Sequence, residues 1–213
     1  MLQIPFYKNR GHNCAECNLK SILGYYFPHE KFKIKDIRNS LKREIGNDPH
    51  LVQLVDALSG FDLELDYASG YGLDRLLRMN KEEKLKNFKK HFGNGAENII
   101  NSTNFDAFAY SLEKMVQMGK WRNAHLDFSY VEESVLNGDI ALCLLNWDLF
   151  CEMENKFKGH YVIITDINEN SVWYNDVGPC NAGPNKEVCK EHFISAWNKM
   201  CFFDENTLFI RKK

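Results

Sequence analysis

The stretch Ile4 to Tyr26, read IPFYKNRGHNCAECNLKSILGYY, constrains this chain more than any other. Ile4 to Tyr7 reads as a short extended piece. It runs into a polar turn around Arg10 and Gly11, and the turn delivers Cys14. Behind Cys14, apolar residues at Leu19, Ile22, Leu23 and Tyr26 recur at the spacing of one helix face. Pro28 stops that helix, because proline lacks an N–H and clashes with the preceding turn. The pattern predicts a cysteine at the first turn of a largely buried helix. Unpaired N–H groups and the helix dipole at that end favour a thiolate and lower its pKa. That is one route to an activated nucleophile. Packing is the competing role, since cysteine is among the most buried residue types.

A second stretch tips the balance towards chemistry. Gly159 to Asp176 reads GHYVIITDINENSVWYND. His160 opens an apolar strand, Asn168-Glu169-Asn170 makes a turn, and a second strand runs from Val172 to Tyr174. A hairpin brings the residues before its first strand close to those after its second. His160 and Asp176 are thus expected as neighbours, with the carboxylate orienting the imidazole.

The remaining chain is long enough to surround such a site. At 213 residues it suits one domain with an elaboration, and 44% hydrophobic residues can fill a sizeable core. A formal net charge of −2 asks for neither nucleic acid nor an anionic membrane as partner. The lysines of Lys81 to Lys90 are interleaved with Glu82 and Glu83 and read as a solvated helix face. No run reaches the ~20 apolar residues of a membrane span. No export signal precedes Ile4, and seven cysteines show no framework spacing, so a cytoplasmic protein with reduced thiols is expected.

Taken in order, helical periods cover Ile34 to Ile45, closed by Gly46, and Leu51 to Leu58, opened by Pro49 and closed by Gly60. Phe61, Leu63, Leu65 and Tyr67 then alternate with acidic residues as a half-buried strand. Residues 70–125 form a helical insertion within the single domain 1–213. Its signals are Leu73, Leu76 and Leu77, the Lys/Glu run to His91, a break at Asn94-Gly95, and a helix from Phe105 to Gly119. Covering the core is its simplest role. A short helix, Val131 to Leu136, precedes an apolar strand, Ile140 to Trp147. Asn175 to Asn185 reads as loop, Val188 to Trp197 as helix, and Thr207 to Arg211 as a last strand. Helices first and strands after predict an α+β fold: an N-terminal helical half, a C-terminal antiparallel sheet, and a cleft between them.

A cysteine on a helix N-terminus facing a His and an Asp on a sheet is the constellation of papain-like cysteine enzymes. The chain resembles one branch of them, the bacteriocin-processing, double-glycine leader peptidases. The resemblance rests on NRGHNCAECNLKSILGYY, in which counting back from the two tyrosines aligns Cys14, not Cys17, with the nucleophile. It rests also on GHYVIIT and WYNDVGP, which follow the order and spacing of that family's His and Asp motifs. It covers both ends of the chain but not residues 70–125. The resemblance implies a papain-like fold and cleavage of a peptide or amide bond through an acyl-thioester, or a related acyl transfer or deamidation. Cys14 would be the nucleophile, His160 the general acid and base, and Asp176 the orienting group. Asn9 would supply an oxyanion donor. The partner would be a peptide or protein substrate, and no metal or organic cofactor is required.

Three positions depart from the family pattern. Asn9 stands where its Gln does and is one methylene shorter, Ala15 replaces the Gly after the nucleophile, and Glu16 adds a carboxylate two residues past Cys14. These changes favour the rival reading, a non-catalytic peptide-binding module derived from a peptidase. Cys14 and Cys17 also have C-x-x-C spacing with His12 nearby. A structural zinc site wants a second close pair, and Cys180, Cys189 and Cys201 do not form one. A thioredoxin-like site wants a βαβ setting that the following helices do not give. Trp147, at a strand end before the His160 hairpin, is a candidate for the cleft wall.

Overall fold

A computed structural model of the protein describes residues 1–11, 13–44, 47–70, 73–92, 100–153, 158–178, 181–198 and 205–213. Three helices open the fold: α1 (Cys14–Tyr26), α2 (Ile34–Ser40) and α3 (Leu51–Leu58). The apolar face of α1 buries Ala15, Leu19, Ile22 and Leu23, as its period predicts. The start of α3 is held by Gln53, whose Oε1 accepts from the His50 N–H at 2.9 Å. Its Nε2 donates to Leu41 O at 2.8 Å and so ties α3 to the end of α2. Ile45, Gly46, Asn94 and Gly95 lie outside the described residues.

Strand β1 (Leu63–Ser69) follows, then α4 (Leu73–Leu77), α5 (Lys81–Phe92), α6 (Phe105–Gln117) and β2 (Trp121–Asn123). Helix α6 begins where Asn104 Oδ1 accepts from the Ala107 N–H at 3.0 Å. Its Phe108, Leu112 and Met115 enter the same core as α1 and α3. The segment read as helices therefore also gives the sheet a strand, β2, too short to show a period. The rest of the chain is α7 (Phe128–Leu136), β3 (Ile140–Asn146), α8 (Trp147–Phe150), β4 (Gly159–Ile167), β5 (Ser171–Asp176), β6 (Gly183–Cys189), α9 (Lys190–Trp197) and β7 (Thr207–Lys212).

The α+β expectation holds, with one continuous sheet. Its order is β2-β1-β7-β3-β4-β5-β6, parallel between β1 and β2 and antiparallel elsewhere. Both faces are covered. Ile140, Leu142, Leu144, Ile163, Leu208 and Ile210 face the core of α1, α3 and α6. Ala141, Cys143, Leu145, Val162, Ile164 and Phe209 face the core of α7 and α9. Burial on both faces explains why β3 reads as an unbroken apolar run.

One element corrects the sequence reading. Gly183 to Cys189 is an edge strand, and the helix expected from Val188 starts at Lys190. An edge strand buries little, so β6 carries no alternation to read, and Pro184 is tolerated there because its missing N–H need not pair.

Candidate active site

Cys14 is the first residue of α1, and two asparagines fix that end. Asn9 is buried; its Oδ1 accepts from the Asn13 N–H at 2.9 Å, and its own N–H donates to Val177 O at 2.8 Å. It thus joins the residue before Cys14 to the residue after Asp176. Asn18, one turn into α1 and fully buried, donates from Nδ2 to Cys14 O at 3.0 Å and to Tyr161 O at 3.1 Å. One amide group therefore holds the carbonyl of Cys14 beside that of the residue after His160.

Glu16 does not turn against the sulfur. It is wholly buried, and both its oxygens accept from Arg43 Nη1, at 2.8 and 2.7 Å. Arg38 Nε donates to Oε1 at 3.2 Å, and Arg38 Nη2 donates to Asn13 Oδ1 at 2.7 Å. The extra carboxylate is part of an ionic clamp on the first turn of α1.

The expectation of a lowered thiol pKa is overturned. Burial pushes the half-buried Cys14 thiol up to about 12; Asp48 and Glu16 add to the rise, while Arg43 and the Ala15 N–H oppose it. A helix N-terminus is worth about 0.3–1 kcal/mol to an anion. Desolvation of the thiol is the larger effect, and it wins here. The thiol is protonated at neutral pH.

The His160 side is built by register. On β3 and β4, Leu145 pairs with His160, and α8 starts two residues later under an Asn146 cap. That brings the Trp147 ring against the imidazole, with centroids 4.2 Å apart. His160 Nε2 lies 2.9 Å from Asp176 Oδ1, across the β4–β5 hairpin. Asp176 is wholly buried. Burial alone would raise its pKa, but the bonds from His160, the Gly178 N–H and Lys186 hold it below the usual carboxylate value. An ionised carboxylate only accepts, so the bond places a proton on Nε2 and leaves Nδ1 out of that contact. Among the described residues no hydrogen bond joins the thiol to the imidazole.

Sequence reasoning anticipated the His160–Asp176 contact but missed Asn18, Arg38, Arg43 and Lys186. The signal for Asn18 and Glu16 was there: polar residues on a helix that is otherwise apolar towards the core.

By sequence, the chain matches no described protein family and no curated protein. By structure, it has the fold of papain-like, double-glycine peptidase domains. A protein described as a C39-like peptidase from Bacillus anthracis shares 12% identity, with a TM-score of 0.59 over all of this chain and 96% of that one. The peptidase domain of Streptococcus ComA, a bifunctional ABC transporter of a quorum-sensing pathway, shares 11%, with a TM-score of 0.50 over the whole of both chains. A double-glycine motif protease from an AMS/PCAT transporter, solved with its leader peptide, shares 11%, with a TM-score of 0.50 over all of this chain and 94% of that one. Among the described residues no helix is long and apolar enough to cross a membrane.

Proposed function

We propose that the protein is a cysteine hydrolase that cleaves a peptide or amide bond through an acyl-thioester on Cys14. The observation that carries this reading is the bond from His160 Nε2 to the buried, ionised Asp176. It orients a base on a fold shared with cysteine peptidase domains. A peptide substrate is supported by the leader peptide bound to one of those domains.

Because the resting thiol is protonated, His160 acts as a general base rather than as the partner of a standing thiolate. Nδ1 takes the Sγ proton as sulfur bonds to the carbonyl carbon. The oxyanion receives the Cys14 N–H, one of the donors a helix start leaves free, and the Asn9 amide. Asn9 Oδ1 is engaged by Asn13, which leaves Nδ2 as the donor. The C–N bond then breaks as Nδ1 returns its proton to the leaving amine. Water attacks the thioester carbon as Nδ1 takes one of its protons; the C–S bond then breaks, releasing the acid, and Nδ1 returns the proton to sulfur.

A second reading has its own support. The raised thiol and the absence of a thiol–imidazole hydrogen bond among the described residues suit a module that holds a peptide without cutting it. Incubation with a peptide library, read by mass spectrometry, separates the two. The hydrolase reading expects cleavage that Cys14→Ala and His160→Ala both abolish. Peptide capture without cleavage, unchanged by Cys14→Ala, would establish the module instead.

A further inference from the structure

We propose that Lys186 is a positioning residue for the hydrolase: its ammonium holds the second oxygen of Asp176 and sets how much negative charge the His160–Asp176 pair presents to the thiol. The inference rests on the reading above. Lys186 Nζ donates to Asp176 Oδ2 at 3.0 Å, while Oδ1 accepts from His160 and from the Gly178 N–H, each at 2.9 Å. The ammonium is itself anchored. It donates to Asn181 O at 3.1 Å and lies 5.6 Å from the centre of the Tyr174 ring. The side chain is a quarter exposed, on edge strand β6, yet it reaches a carboxylate that solvent does not touch.

A lone carboxylate behind a histidine stabilises the imidazolium. A carboxylate already paired with a cation does so less. Lys186 thus offsets part of the negative charge that Asp176 places behind the ring. Among the described residues, Tyr174 on β5 is a further titratable group close to Asp176. Helix α8 contributes the uncharged Trp147 against the ring, followed by the buried Asp148. Lys186 is the cation bonded to the carboxylate itself.

The test is the rate of Cys14 alkylation by iodoacetamide against pH, resolved by peptide mass spectrometry. Native protein is compared with Lys186→Met, Lys186→Gln, Lys186→Arg and His160→Ala, with melting temperatures confirming the fold of each. Lys186→Met and Lys186→Gln are expected to move the midpoint up by about half a unit to one unit, a partly screened charge at short range. Lys186→Arg should restore it. An unmoved midpoint in both neutral variants, with alkylation still dependent on His160, overturns the role of Lys186 alone. Equal alkylation of His160→Ala and native protein overturns the hydrolase reading beneath it.

Discussion

Two carboxylates lie wholly buried, Glu16 on the first turn of α1 and Asp176 behind His160. Glu16 is met by two guanidiniums, which never give up their protons in this setting. Asp176 is met by an imidazole, a backbone N–H and a lysine at the rim. The first cluster can only hold shape. The second includes an imidazole, which in the proposed mechanism takes up and returns a proton. Burial of an acid is therefore no sign of chemistry in itself. In the proposed mechanism, a partner that exchanges protons is what separates the His160–Asp176 pair from the clamp.

The largest expected effect falls on the reacting side. Asp176→Asn should lower peptide cleavage by about 10⁴-fold, because the amide no longer fixes the proton on Nε2. Circular dichroism should show the fold retained; cleavage within tenfold of native would erase the distinction drawn above.

On the clamp side, Glu16→Ala should destabilise the fold by about 3–5 kcal/mol, since it strands buried guanidinium charge. Urea unfolding measures it. Exchanging Glu16, Arg38 and Arg43 together for apolar residues should cost far less than the single change, as expected of a structural ion cluster. Asn9→Ala touches both sides at once. It should reduce cleavage by about 10²–10³-fold through the lost oxyanion donor. If only stability falls, Asn9 is a brace and nothing more.

The smallest effects are those of pH on stability. The pKa of Asp176 is lower in the fold than in the open chain, so its contribution is present above about pH 4 and fades as pH falls through the folded value. The thiols behave oppositely. Cys14 and Cys143 are pushed up to about 12 and Cys17 to about 11, chiefly by burial. The unfolded chain loses these protons first, so stability should decline from about pH 8.5 upwards. Melting temperatures across pH give both limbs. A flat alkaline limb would mean that the thiols are not desolvated.

The reacting side was the more legible of the two in sequence. The hairpin period and its Asn-rich turn were enough to bring His160 close to Asp176, because both are local consequences of strand geometry. The α1 face was legible for the same reason. The clamp was not, since Arg38 and Arg43 sit on and after a short helix whose register against Glu16 is set by tertiary packing. Nor was the thiol's protonation. The helix end argued for a thiolate, and only the surrounding mass of protein shows that desolvation is larger. Strand β6, and Lys186 with it, hid in a polar edge without periodicity.

Strand β7 lies between β1 and β3, so among the described strands residues 207–212 join the two arms of the sheet. Tyr67, which donates to Asn206 beside that junction, lies 139 positions away along the chain. Closing so long a loop is entropically slow and yields its reward late. On an emerging polypeptide the helices and the His160 hairpin would be made well before the seam that unites them. A single proteolytic nick ahead of Thr207 would leave two open sheet edges, each a template for aggregation.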